Sequence, residues 1–161
     1  MTILGLDVGE RRIGVALAEA DGHGTRPLVT LRRARTAADD ATELGVLIGR
    51  HQATEIVVGL PLEASGSEGT QAALTRAWVD VVAAELAGRA VSIAWTWQDE
   101  RLTSHLAEGR LGPMRRGRSG GPPSKTQRDA YRARVDREAA AIILEDALTA
   151  RRPSHVTETD A

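Results

Sequence analysis

Two apolar runs only four residues apart constrain this chain more than any other feature. Thr2–Val8 and Ile13–Leu17 are both rich in strand formers, and Gly9-Glu10-Arg11-Arg12 between them has room only for a reversal. The chain therefore opens with an antiparallel hairpin. Pro27–Leu31 adds a third, weaker strand, and the pattern then changes to alternating helix and strand. Thr36–Arg50 carries Ala37, Ala41, Leu44, Leu47 and Ile48 at helical spacing. Glu55–Gly59 is a strand that ends at Gly59-Leu60-Pro61. Gln71–Leu86 reads as a helix, with Ala73, Ala77, Val81 and Ala84 expected on its buried side and Trp78 as a further candidate. Ala90–Trp97 is a strand, Leu102–Leu111 a short helix and Arg128–Ala150 a long one. Gly112–Ser124, made largely of Gly, Pro, Arg and Ser, reads as a mobile loop.

The order β-β-β-α-β-α-β-α-α predicts an α/β fold: a mixed central sheet, its hairpin-led edge antiparallel and its remaining strands parallel, with helices on both faces. Right-handed crossovers set the strands ending near Asp7, Gly59 and Trp97 side by side and parallel, so their C-terminal ends share one rim. A length of 161 residues suits one domain, expected over 1–150, with 151–161 as a flexible tail. The absence of cysteine excludes disulfides, thiolate catalysis and Cys-ligated zinc. No apolar run approaches the roughly 20 residues of a membrane span, and the start of the chain lacks the pattern of a signal peptide, so a cytoplasmic protein is expected. The four histidines, His23, His51, His105 and His155, have no metal-ligand spacing, and there is neither a P-loop nor a Gly-x-Ser-x-Gly elbow.

Three carboxylates stand out. Asp7 closes an apolar strand just before Gly9, where it either caps the turn or serves a site. It continues the smaller side of its strand, Ile3 and Gly5. In Asp99-Glu100-Arg101, Glu100 continues the smaller, more polar side of Ser92, Ala94, Thr96 and Gln98, opposite Trp95 and Trp97; the alternative is a salt-bridged helix start. Asp136 precedes Ala139, Ala140, Ile143 and Ala147 on one helical face, and pairing with Arg132 is its bland alternative. Asp129 is a reserve on that face. Carboxylates from three elements at one rim suit a hard cation, Mg²⁺ or Mn²⁺, and with it hydrolysis of a phosphodiester.

Between Arg110 and Arg134, eight cations face the single acid Asp129, a net +7 in a chain whose total is −1. Such asymmetry is a nucleic-acid footprint, with a solvated loop as its plain alternative. Gly66-Ser67-Glu68-Gly69 before a helix either places backbone N–H groups at a phosphate or is simply a loop and cap.

Five blocks together resemble the YqgF/RuvX family: Asp7-Val8-Gly9-Glu10-Arg11-Arg12-Ile13-Gly14-Val15-Ala16, Gly59-Leu60-Pro61-Leu62, Gly66-Ser67-Glu68-Gly69, Asp99-Glu100-Arg101-Leu102-Thr103, and the segment from Val135 through Leu144. The resemblance implies an RNase H-like fold and a nuclease of precursor 16S rRNA, also described as Holliday-junction-resolvase-like. It assigns the acidic site to Asp7, Glu100 and Asp136, with Mg²⁺ or Mn²⁺ as cofactor. Substrate-binding candidates are Arg11, Arg12, Ser67 and Arg101 from these blocks, and Arg115, Arg116, Arg118, Lys125 and Arg128 from the basic segment. The strand ending at Gly59 carries no carboxylate, unlike resolvases of this fold proper. Three functions therefore compete: a nuclease for structured RNA, a resolvase of branched DNA acting as a homodimer, and a non-catalytic nucleic-acid-binding factor in transcription or ribosome assembly. Actin-like ATPases share Asp-x-Gly in a leading hairpin, but they need two such domains.

Overall fold

The computed structural model describes residues 1–19, 24–101 and 103–152. Its strands are β1 (Thr2–Val8), β2 (Arg12–Glu19), β3 (Thr25–Arg32), β4 (Ala53–Pro61) and β5 (Ala94–Glu100). Its helices are α1 (Ala37–His51), α2 (Thr70–Gly88), α3 (Thr103–Leu111) and α4 (Lys125–Arg151). The sheet runs β3-β2-β1-β4-β5; the β1–β2 and β2–β3 pairs are antiparallel, β1–β4 and β4–β5 parallel. This is the mixed sheet the sequence predicts. His23, His155, Leu102 and the tail from 153 onward lie outside the described residues.

Alternation along the strands sorts side chains onto two faces. Leu4, Leu6, Val15, Leu17, Ile56 and Val58 pack against α1 and α2 through Leu44, Ile48, Val82 and Leu86. Ile3, Ala16, Ala18 and Val57 form the other face, covered by Ala140, Ile143, Leu144 and Ala147 of α4. Each large aliphatic side chain fully buried here contributes roughly 1.5–3 kcal/mol. Helix α3 packs on α4 around Ala107, Val135, Ala139 and Ile142.

The second face is built from small residues, which lets the backbone of α4 lie directly on the sheet. A Cβ on Gly14 would stand 1.9 Å from the carbonyl oxygen of Asp136, and one on Gly5 2.8 Å from that of Ala140. No side chain fits at either position, so these glycines set how closely α4 approaches.

Side-chain caps set the starts of α1 and α4. Thr36 caps α1, its hydroxyl accepting from the Asp39 N–H at 3.1 Å. Ser124 and Gln127 form a capping box, so α4 starts at Lys125, before the expected Arg128. Residues 112–124 contain neither helix nor strand, but Gly117–Gly121 closes a turn through the Gly117 N–H and the Gly121 carbonyl at 3.0 Å. The face expected of α2 is wrong. Ala72, Thr75, Trp78, Val79, Val82 and Leu86 are buried, while Ala73, Ala77, Val81 and Ala84 are exposed. Alanine surrounds this helix, so the bulky residues decide which side goes in, and the alanine spacing carries no information.

Asp40 is buried in the first turn of α1. Its carboxylate accepts from Arg33 Nε at 2.7 Å, the Ala34 N–H at 2.7 Å and Trp78 Nε1 at 2.8 Å. The pair of α1 and α2 is thereby pinned to the end of β3. At the opposite end of the sheet, Glu55 accepts from Thr96 Oγ1 at 2.7 Å and from Arg151 Nη1 at 3.0 Å. Arg151 holds the Glu55 carboxyl below the usual carboxylate range and ties the end of α4 to β4. None of the described helices is long and apolar enough to cross a membrane.

Candidate nuclease site

Asp7 leaves the C-terminal part of β1 in step with Ile3 and Gly5, on the α4 side of the sheet. Its cross-strand partner is Gly14, the residue over which the Asp136 carbonyl sits. That contact is what brings the start of the buried stretch of α4 over the end of β1. Glu100 is the last residue of β5 and opposes Pro61. Its Oε2 lies 2.8 Å from where a Cβ on Gly59 would be, so the bare backbone of β4 makes room for this carboxylate. Asp7, Glu100 and Asp136 thus meet at one rim.

Their electrostatics follow from crowding. Burial pushes the Asp7 carboxyl well above the ordinary carboxylate range, and the charges of Glu100 and then Asp136 push it further. Burial also raises Glu100, against the opposing effect of the neighbouring Thr103 side chain. Asp136 has a partner of its own, and it is not Arg132. Arg12 Nε donates to Asp136 Oδ2 at 2.5 Å, and both side chains are half-buried. Among the described residues, no three His, Asp or Glu side chains are gathered tightly enough to hold an ion as they stand. The donor chemistry nevertheless fits a hard divalent cation: the donors are all carboxylates, and the central one, Asp7, is half-buried against two like charges and makes no ion pair with another described residue.

The predicted substrate-binding residues divide. Arg11 and Arg12 line a shallow recess with Asp136 at this rim. The Arg101 guanidinium covers the loop after β4, with Nη2 2.6 Å from where a Cβ on Gly66 would be. Ser67 lies in that loop, its hydroxyl 2.8 Å from that of Ser65. Arg115, Arg116, Arg118 and Lys125 are exposed and make no ion pair with another described residue. Arg128 turns one N–H to the Pro123 carbonyl at 2.6 Å. Arg110 corrects the sequence-based charge count. It pairs with Glu138 at 3.3 Å and Glu145 at 2.7 Å, so it adds little to the basic face.

Nothing in the sequence singles out Arg32. It is the register partner of Arg12 across β2 and β3, and it lines a cleft with Arg11, Arg12 and Lys125. No local motif marks it, because only strand pairing sets it beside residues 20 positions earlier.

Comparison with known proteins agrees with this architecture. A family model described as "RuvX: Holliday junction resolvase" matches residues 1–150. A protein of Chloroflexus aggregans named "Putative pre-16S rRNA nuclease" is 39% identical over 151 residues, covering 94% of this chain and 95% of that one. A protein of the same name from an Anaeromyxobacter species is 40% identical, covering 94% of this chain and 98% of its own. Among solved structures, T. thermophilus RuvC in complex with a Holliday junction substrate superposes with a TM-score of 0.53 at 13% identity, covering 94% and 95% of the two chains. That likeness shows the fold, which is RNase H-like. Matched by its family model over nearly its whole length and by relatives of its own size, the chain belongs to the RuvX family.

Proposed function

We propose that this protein is a cytoplasmic, divalent-metal-dependent nuclease that hydrolyses phosphodiester bonds in processing the 5′ end of precursor 16S rRNA. The observation that carries the reading is the meeting of Asp7, Glu100 and Asp136, from two strands and a helix, at the rim where parallel strands end. Asp7, Glu100 and Asp136 would hold Mg²⁺ or Mn²⁺, which when bound supplies Lewis acidity and an activated water. The chain's own part is to present three carboxylates in a half-buried rim and to surround them with arginines. Arg11 and Arg12, which line the recess at Asp136, and Arg101, next to Glu100 in the chain, would take backbone phosphates near the acids. The names borne by the relatives at about 40% identity favour rRNA as substrate. The family description favours branched DNA as the alternative, which a homodimer would cut symmetrically.

A cleavage assay with precursor rRNA fragments, single-stranded RNA and DNA and a four-way junction, each with Mg²⁺, Mn²⁺ or EDTA, tests this. Metal-dependent cutting of the rRNA fragment is expected. Cutting of the junction alone would move the assignment to resolvase, and no cutting at all would leave a binding factor.

Two further expectations belong here. Glu100→Gln should lower the cleavage rate by about 10²–10³-fold, whereas Asp99→Asn, exposed and on the opposite side of β5, should change it by less than about threefold. The reverse ranking in rate measurements would show that the wrong carboxylate has been assigned. Replacing Arg115, Arg116 and Arg118 together by Gln should weaken binding at every sequence tested. The slope of log K against log salt should fall by about 2–3, at roughly 0.7–0.9 per phosphate contact. The rate at saturating substrate should change little. An unchanged slope would mean that these arginines are merely solvated.

A further inference from the structure

The side chains of Arg12 and Arg32 stand directly opposite each other on neighbouring strands. Like charges in that position destabilise a sheet. Both residues fall on the α4 side, in step with Gly14 and with Thr30, whose hydroxyl bonds the Ala133 carbonyl. They line a cleft of about 320 Å³ between the hairpin and the first turns of α4, together with Arg11, Lys125 and a single acid, Asp129. Arg11, Arg32 and Lys125 make no ion pair with another described residue. Four cations around one concavity, with one carboxylate among them, leave a positive hollow of a size that admits a phosphate group. Arg11 and Arg12 both line this cleft and the recess at Asp136, and of the two it is Arg12 that is engaged with Asp136.

Building on the nuclease reading, we infer that this cleft is a subsite for a backbone phosphodiester of the nucleic-acid substrate, and that Arg12 acts as a latch between it and the acidic rim. In the free protein Arg12 neutralises Asp136. When a phosphate enters between Arg12 and Arg32, it relieves their repulsion and offers Arg12 a second anion. Arg12 then exchanges partners, which would leave Asp136 free to hold a divalent cation. Substrate binding and completion of the acidic site are in this way coupled through one side chain. Arg12 is a positioning residue here, since it acts on the cation only through Asp136.

Two measurements on the full-length protein separate this inference from the reading beneath it. The first is binding of labelled short single-stranded and duplex RNA in EDTA, so that no metal takes part. Arg32→Gln and Lys125→Gln should each weaken binding about 3- to 10-fold and lower the salt slope by roughly 0.7–0.9. Inorganic phosphate should displace the RNA from the unmodified protein better than chloride at equal ionic strength, and should lose that advantage in Arg32→Gln. Unchanged affinity and slope in Arg32→Gln would overturn the subsite. An equal response to phosphate in Arg32→Gln and in the unmodified protein would overturn it as well.

The second measurement is Mn²⁺ binding without nucleic acid, followed by the paramagnetic resonance signal of the free ion. Arg12→Gln should bind Mn²⁺ about tenfold more tightly than the unmodified protein, because Asp136 is no longer occupied, whereas Arg32→Gln should match the unmodified protein. Arg12→Lys, which keeps the charge, guards against a folding defect and should fall between the two. Equal Mn²⁺ affinity in all of these proteins would overturn the latch. If neither the unmodified protein nor Arg12→Gln binds Mn²⁺ while Arg32→Gln still weakens RNA binding, the metal-nuclease reading and the latch fail together and the phosphate subsite stands.

Discussion

Asp7→Asn protein is expected to cut its substrate about 10³–10⁴-fold more slowly than the unmodified protein, while melting at a higher temperature. The two effects have one cause. Asp7 sits half-buried with Glu100 and Asp136 as its charged neighbours, so its ionised form is disfavoured in the fold. Asparagine keeps the shape and removes the charge. The sign with pH follows. A carboxyl whose folded-state pKa lies above its unfolded value costs nothing below the unfolded value, near 3.9. It imposes its full cost above the raised folded value, so stability falls as pH rises between the two. Thermal melts across that window should show the decline in the unmodified protein and a smaller one in Asp7→Asn. Substantial residual cleavage by pure Asp7→Asn would remove the acidic site from the chemistry. A lowered melting temperature would show that Asp7 stabilises the fold, as a turn cap would.

Asp40→Ala should be the most destabilising single change outside the apolar core, by about 3–5 kcal/mol, because it leaves Arg33 without its buried counter-charge and orphans two N–H donors. For a domain of this size that is a fall of roughly 6–20 °C in melting temperature. Trp78→Phe keeps the ring and loses one donor, and should cost only about 1–2 kcal/mol. Calorimetry or denaturant titration of both variants measures the difference. A loss below about 1 kcal/mol in Asp40→Ala would mean that water replaces the carboxylate and that the three-way contact holds little together. Substrate cleavage by Asp40→Ala, measured well below its melting point, should be close to normal, since Asp40 lies beneath the opposite face of the sheet from the acidic rim.

What could be read along the chain is what local geometry dictates. The two-residue period of a strand places Asp7 with Ile3 and Gly5, and Glu100 with Thr96 and Gln98, wherever those strands end up. The 3.6-residue period places Asp136 in line with Ala140 and Ile143. The short Gly9–Arg12 link forces a hairpin, and the crossovers then order the sheet. Sequence periodicity is silent where no periodic contrast exists, as in α2, where alanine lies on every side and only packing against β4 shows that Trp78 and Val82 go inward. It is equally silent about charge. Asp40 looks like an ordinary acid in the first turn of a helix, yet tertiary packing buries it between Arg33 and Trp78. Arg110 looks like part of a basic loop until α3 lays it against Glu138 and Glu145. Arg12 and Asp136 are 124 positions apart, and Arg12 and Arg32 meet only through strand register. Backbone periods are set by neighbours in the chain, whereas Coulomb energies depend on distance through space. The sequence by itself therefore determined the order of the elements and the strand faces that carry Asp7 and Glu100, and only the folded chain decided which face of α2 goes inward and which charge answers which.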